Sequence, residues 1–284
     1  MMIAPNAVKD KNLNFLREVV ELINGRAVIY IDEKFSSYNI KNVVFAEKKQ
    51  IFEKVDMILV LGGDGTLLTA ALNASYYDIP LLGVNLGRLG FLAEVERSEV
   101  KECFDKLFSG EYIFEERMML SACVKKQTGE EISFDALNDI VITKGINATL
   151  MDFDIKICDE FVDDYKSDGI ILSTPTGSTA YSLSAGGPIV SPDLDGILIT
   201  PICPHKLYSR AMIVSSKDKI EVKTTADEIF SATIMADGQR KCDIKEGDIL
   251  FVEQSKRSTK LIRFAEKGFF SILRQKLMGK ELQN

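Results

Sequence analysis

Residues 56–71 read Asp-Met-Ile-Leu-Val-Leu-Gly-Gly-Asp-Gly-Thr-Leu-Leu-Thr-Ala-Ala, and this stretch constrains the chain more than any other. Residues 57–61 are an unbroken apolar run, short and rich in branched side chains, as in a strand buried on both faces. Gly62, Gly63 and Gly65 interrupt the run, and helix formers resume at Leu67. The pattern predicts a strand, a tight turn and a helix start, with one carboxylate, Asp64, held among three glycines. Glycine lets the backbone turn sharply and lets a ligand approach it closely. The free N–H groups that open a helix attract phosphate. Asp64 adds a base or an acceptor beside a metal. Glycine turns alone are common; an acid set inside three of them after a buried strand points to phosphate handling.

The flanking segments alternate in the same way. Residues 12–24 place Leu13, Leu16, Val19, Val20 and Ile23 at helical spacing, with Gly25 as the stop. Strands are predicted at 26–31 and 81–84, helices at 47–53, 67–74 and 98–109, and a loop over 32–42. Alternating strands and helices imply an α/β domain with a doubly wound parallel sheet. Beyond Gly110 strands dominate, among them 118–126, 139–143, 153–158, 169–173, 196–201, 219–223, 248–252 and 260–263. Thr128-Gly129-Glu130 and Asp237-Gly238 mark turns, the latter a hairpin signal. Only residues 178–186 look helical within this half, until an apolar-faced helix at 269–277. The expected plan is an α/β domain over 1–116 and 254–284, and an all-β domain over 117–253. The C-terminal segment returns to the first domain.

With 284 residues, 46% of them hydrophobic and 27% charged, the chain has the makings of two ordinary cores. Its net charge of −7 argues against nucleic acid as a partner, which usually needs a basic face. Small anions need only a local cluster. The five cysteines are scattered, no Cys-x-x-Cys exists, and His205 is the only histidine, so a zinc site is not expected. Free thiols, no signal-peptide pattern and no run of membrane-spanning length together suggest a cytoplasmic protein with no membrane partner. A P-loop lysine motif and a Gly-x-Gly-x-x-Gly are also absent, which weakens the ordinary P-loop and dinucleotide-fold readings.

Four further constellations stand out. Asn85-Leu86-Gly87-Arg88-Leu89-Gly90-Phe91-Leu92 follows the strand at 81–84, so it emerges at the same carboxyl edge as Gly62–Gly65. There Arg88 would hold a phosphate and Phe91 lie against a base, although a solvated arginine and an interface phenylalanine explain the loop equally well. Asn138-Asp139 pairs an amide with a carboxylate, the combination that grips vicinal ribose hydroxyls, yet such pairs also simply make turns. Residues 166–188 carry a buried strand into Thr174-Pro175-Thr176-Gly177-Ser178-Thr179-Ala180-Tyr181-Ser182-Leu183-Ser184. Hydroxyls and N–H groups beside an aromatic face suit a purine nucleoside, and a merely solvated Ser/Thr loop rarely lies between apolar runs. Thr200-Pro201-Ile202-Cys203-Pro204-His205, with no partner for its histidine, reads as a rigid turn.

Together and in this order, over roughly residues 55–270, these motifs resemble the NAD kinase family, which phosphorylates NAD to NADP. The resemblance implies ATP, or in some members polyphosphate, as donor, with NAD as acceptor. It also implies Mg²⁺ or another divalent cation, and a homo-oligomer, dimer or tetramer. Carried over by position, Asp64 is the catalytic aspartate, with Gly63, Gly65 and Leu68 beside it on the nucleotide side. Asn138 and Asp139 hold ribose hydroxyls. Thr176, Thr179, Ala180, Tyr181 and Ser184 form the adenine and ribose segment, with Tyr181 stacking. Phe91 falls near the adenine, and Lys166 near the product's 2′-phosphate. Asp168 falls at an acidic position that reaches a neighbouring subunit's site in family tetramers. The first strand is shorter than family members usually have, with only residues 1–4 before Pro5-Asn6.

In the mechanism this implies, Asp64 takes the proton of the adenosine ribose 2′-hydroxyl as that oxygen attacks the γ-phosphorus. A lipid kinase would share the glycine turn but not the Thr-Pro-Thr-Gly-Ser-Thr-Ala-Tyr segment. A phosphofructokinase would want a helix-rich second half. A non-catalytic NADP(H) sensor would have no need of Asp64.

Overall fold

The structure is a computed structural model that describes residues 1–87, 89–93, 95–145, 151–206, 208–224, 232–264 and 268–277. Arg88, and Phe230 at the head of a strand expected over 230–235, therefore lie outside the described residues. The chain divides into two compact units, Met1–Glu116 with Thr259–Asn284, and Arg117–Ser258.

The α/β unit contains β1 (Met2–Pro5), α1 (Asn14–Ile23), β2 (Tyr30–Asp32), β3 (Val44–Ala46), α2 (Lys48–Phe52) and β4 (Ile58–Gly62). It continues with α3 (Asp64–Ser75), β5 (Leu81–Asn85), β6 (Val95–Glu96) and α4 (Val100–Ser109). The strands pair in parallel in the order β3-β2-β1-β4-β5, with β6 beside β5. β1 and β4 are neighbours in the sheet and run to opposite sides of it in chain order, so their carboxyl ends flank the point where winding reverses. Open α/β sheets bind ligands at such a point. All five residues of β4 and of β5 are buried, as continuous apolar runs require. Leu16, Val19, Val20 and Ile23 of α1 join Ile3, Leu59, Leu61 and Phe104 in one core.

Local chemistry moved several boundaries. The predicted loop at 32–42 contains a 3-10 helix, Glu33–Tyr38, capped by Asp32 accepting from the Lys34 N–H at 3.1 Å. The helix predicted from Leu67 begins at Asp64, because Gly63 already stands at its N-cap.

The chain leaves this unit within β7 (Ile113–Lys125), which begins five residues before the strand expected from 118. In the β unit follow β8 (Glu131–Ala136), β9 (Asp139–Lys144), β10 (Met151–Ile157), β11 (Glu160–Ser167) and β12 (Gly169–Ser173). After the 3-10 turn Thr176–Thr179 and α5 (Tyr181–Ser184) come β13 (Gly196–Ile202), β14 (Met212–Ser215), β15 (Ile220–Thr224), β16 (Ala232–Ala236) and β17 (Gln239–Ile244). The chain returns to the first unit within β18 (Ile249–Arg263), followed by α6 (Phe269–Leu277). One antiparallel sheet runs β14-β13-β12-β9-β16-β17. A second places β11-β10-β15-β18 in order, with β7 and β8 alongside. Alternate residues of both sheets meet in one core that includes Phe153, Tyr165, Ile170, Leu172 and Ile234. No described helix is long and apolar enough to cross a membrane.

Candidate functional site

In the α/β unit, β4 ends at Gly62 and α3 begins at Asp64, which sets the Asp64 carboxylate on the first helical turn at the carboxyl edge of the sheet. Its Oδ2 accepts the Phe91 N–H at 2.8 Å, and its Oδ1 accepts those of Leu92 and Ala93, each at 3.1 Å. A carboxylate offers about four lone-pair positions. Oδ1 is filled and Oδ2 has one left. Gly90 leaves room for this nest, since a Cβ there would lie 1.9 Å from Asp64 Oδ1 and the carboxylate or the loop would have to shift. From the carbonyl side Arg263 donates to Leu92 O at 2.9 Å and Phe91 O at 3.4 Å, while its Nε bonds Glu115 at 2.6 Å. Half-buried Phe91 meets Phe269 of α6 at 6.1 Å between ring centroids, and Lys276 Nζ lies 4.3 Å from the Phe91 ring centroid. The C-terminal helix thus does return to this unit.

Lys9 was not singled out in the sequence, because a lone lysine after a turn carries no pattern. Its Nζ would be 2.4 Å from a Cβ on Gly63 and 3.7 Å from one on Gly87, so the ammonium sits over both glycine turns. It has no ion-pair partner among the described residues. Two cavities share it. One, of about 390 Å³, is lined by Pro5, Asn6, Lys9, Lys34, Lys48 and Thr66, and by Gly65. The other, of about 1420 Å³, is lined by Lys9, Gly63, Asp64, Asn85, Arg97 and Lys276. Asn6 ties the end of β1 to α3 by donating from Nδ2 to Thr66 Oγ1 at 2.8 Å. Leu68 is half-buried on α3.

In the β unit Asp139 opens β9 with Asn138 just before it, and Ser173 of β12 pairs with Asp139. The turn after β12 is folded onto them. Thr174 donates from N to Asn138 O at 2.9 Å and from Oγ1 to Leu137 O at 2.6 Å, while that Oγ1 accepts the Gly177 N–H at 3.0 Å. A Cβ on Gly177 would lie 2.1 Å from Asn138 O, so only glycine lets the two turns touch. Asp139 is 5% exposed, and no described residue donates a hydrogen bond to its carboxylate. Burial, with the neighbouring Asp237 charge second, pushes its carboxyl up to about 7. Burial also raises Asp237, against the lowering effect of the backbone N–H groups of Leu137, Asn138 and Asp139.

Thr176 is buried and accepts from Arg117 Nη1 at 3.2 Å, a partner absent from the sequence reading. Thr179 Oγ1 donates to Thr176 O at 3.3 Å. Ala180 is half-buried, Ser184 is exposed, and Tyr181, 42% exposed, leaves its ring free to stack. Lys166 and Asp168 are not brought to this cluster. Asp168 lies at the opposite end of β12 from Ser173 and pairs with Lys144 at 2.7 Å, and exposed Lys166 faces Asp152 at 4.0 Å.

The pattern of the ATP-NAD kinase N-terminal domain matches residues 6–112, and that of the ATP-NAD kinase C-terminal domain matches residues 137–264. An NAD kinase of Thermoanaerobacter sp. (strain X514) is 44% identical over 276 residues, 97% of each chain. One from Natranaerobius thermophilus is 43% identical over 80% of this chain and 79% of its own. Among solved structures, yeast NADH kinase complexed with NADH superposes with a TM-score of 0.88 at 26% identity, over 98% of this chain and 87% of the yeast chain. The fold is also that of an NAD kinase from Archaeoglobus fulgidus in complex with ATP, with a TM-score of 0.69 at 23% identity, covering 94% of this chain and 95% of that one. The chain belongs to the ATP-NAD kinase family, and its reaction is the ATP-dependent phosphorylation of NAD.

Proposed function

We propose that Asp64 accepts the proton of the adenosine ribose 2′-hydroxyl of NAD at its remaining Oδ2 position as that oxygen attacks the γ-phosphorus of ATP. The observation that carries this reading is the filled nest around Asp64. Three N–H groups fix the carboxylate's orientation and leave one lone pair, which is what a single incoming hydroxyl needs.

The donor nucleotide is assigned to the cavity of about 390 Å³, where the carboxyl ends of β1 and β4 flank the reversal of the sheet. Lys9, over Gly63 and Gly87, then meets the donor's phosphates, with Gly65 and Leu68 on the helix beside them and Arg88 as a further phosphate contact. Among the described residues no three His, Cys, Asp or Glu side chains cluster as a metal site. A magnesium or other divalent ion would be held mainly by the donor's own phosphates, as Mg²⁺ usually is. Bound there, it would neutralise charge on the transferred group.

The β unit, spanning 117–253 as read from the sequence, is assigned NAD binding and oligomerisation, and 1–116 with 254–284 the phosphoryl chemistry. Asn138 and Asp139 take ribose hydroxyls. Asp139 supports this role as a buried carboxylate still lacking a donor. Thr176, Thr179, Ala180, Tyr181 and Ser184 take the adenosine, with Phe91 near the base. Lys166 and Asp168, which lie away from this cluster within one chain, are assigned to a neighbouring subunit's site, Lys166 toward the product's 2′-phosphate there. A homodimer or homotetramer in the cytoplasm, with polyphosphate as an alternative donor, completes the proposal.

The test is a coupled assay for NADP formation from NAD, with ATP or polyphosphate and Mg²⁺. Steady NADP formation supports the scheme. A protein that binds NADP yet forms none would favour a sensor instead.

A further inference from the structure

The carboxylate of Asp237 gathers three successive backbone N–H groups, those of Leu137 at 2.9 Å, Asn138 at 2.7 Å and Asp139 at 3.3 Å. The opposite side of the same backbone is equally accounted for. Leu137 O and Asn138 O accept from Thr174, Asn138 O accepts also from Ser173 Oγ at 3.2 Å, and Asp139 O accepts from the Asp237 N–H at 3.0 Å. Every N–H and C=O of residues 137–139 is thus satisfied by residues more than thirty positions away. Neither the Asn138 carboxamide nor the Asp139 carboxylate is spent on holding the turn. Both side chains remain without a hydrogen-bond partner among the described residues.

Asp237 is itself set by local geometry. It has φ +48 and Gly238 has φ +73, the pair of positive values that a two-residue hairpin turn needs between β16 and β17. That turn aims the carboxylate at the start of β9, the strand beside β16.

We propose that Asp237 is a positioning residue for acceptor binding: by holding the backbone of residues 137–139 from the N–H side, it presents Asn138 and Asp139 to a ribose with their hydrogen-bonding capacity unspent. This rests on the assignment of Asn138 and Asp139 to ribose hydroxyls. The ligand class is a vicinal diol on a nucleoside, which offers two hydroxyls to one amide and one carboxylate.

Asp237→Asn is the informative variant. Asn-Gly suits the same turn as well as Asp-Gly, so the hairpin is kept. One acceptor oxygen becomes an NH₂ facing N–H donors. The expected result is a KM for NAD raised about tenfold or more, with kcat at saturating NAD within about threefold and KM for ATP unchanged. Thr174→Val loosens the same backbone through its carbonyls, leaves the hairpin untouched and should show the same split. An unchanged KM for NAD in both variants, or a fall confined to kcat, overturns the proposal. Asn138→Ala separates the two ideas. If it leaves KM for NAD unchanged, the ribose assignment fails. If it raises KM while Asp237→Asn and Thr174→Val do not, positioning by Asp237 alone fails.

Discussion

Asp64 and Phe91, 27 positions apart in sequence, are joined by a 2.8 Å hydrogen bond from the Phe91 N–H to Asp64 Oδ2. The bond belongs to a set of three that makes the carboxylate both an anchor for the loop after β5 and the proposed proton acceptor. The two duties share one group, so substitutions should separate them.

Asp64→Asn keeps the size of the side chain but turns one acceptor oxygen into a donor. It should lower kcat by about two to four decades, the usual contribution of one general base. NAD affinity should be largely retained, since Asp64 meets only the 2′-hydroxyl and the other proposed contacts to NAD come from Asn138, Asp139 and the 176–184 segment. Steady-state NADP formation, with NAD titration of the variant alongside, checks both halves. Near-full turnover would remove Asp64 from the proton transfer.

Gly90→Ala tests the nest while leaving the residue at 64 an aspartate. The new methyl would start 1.9 Å from Asp64 Oδ1 and must push the carboxylate or the loop aside. The expected outcome is a fall in kcat of at least about tenfold with Asp64 intact, since small misplacement of a catalytic group costs rate steeply. Wild-type kcat would mean that the loop is free to move and that the nest does not orient the base.

Asp139 makes stability and binding respond to pH in opposite directions. Its carboxyl is raised from 3.8 to about 7, so between those values the folded chain holds a proton that the unfolded chain has released. Stability from this group is fully present below about 4 and is lost as pH rises toward 7. A ribose hydroxyl donates to the ionised form, so NAD affinity should instead rise from pH 6 to pH 8. Burial sets most of the shift and the Asp237 charge adds to it, while Lys241 acts on Asp237 rather than on Asp139. Chemical denaturation and NAD titration across this range, with Asp139→Asn as the pH-flat control, decide it. Equal pH dependence in wild type and variant would assign the titration to another group.

What the sequence made legible was local. An apolar run broken by glycines is a strand and a turn in any context, and Asp64, Asn138 and the Thr174–Tyr181 turn stood out as candidates from such local patterns. The partners of those residues could not. Arg263 meets Leu92 from 171 positions away and Asp237 meets Asn138 from 99, and no local periodicity encodes either contact. Asp237-Gly238 was legible as a hairpin, but not the target of its carboxylate. β11, β14 and β17 went unpredicted because they carry many exposed or half-buried positions and little apolar alternation. β18 looked like two strands because its middle, around Glu253 and Gln254, is exposed and polar although the backbone continues. Lys166 and Asp168 are close to the Ser/Thr turn in sequence and at the far end of a strand in space.

Lys9 tests the donor side. Its ammonium lies over the Gly63 and Gly87 turns, lines the two cavities described above and has no ion-pair partner among the described residues. A cation left uncompensated beside glycine turns is suited to phosphate oxygens, and one charge-assisted contact is worth about 1.5–3 kcal/mol. Lys9→Met retains the length and apolar stem of the side chain while removing the charge. KM for ATP should rise about 10- to 100-fold, KM for NAD should stay near its wild-type value, and folding should be unaffected because Lys9 is exposed. Lys9→Arg should recover part of the loss, since it restores the charge but not the compact ammonium. A variant that weakens NAD rather than ATP would move Lys9 to the acceptor side and send the search for the donor's phosphates to Lys34 and Lys48, the other cations of the smaller cavity.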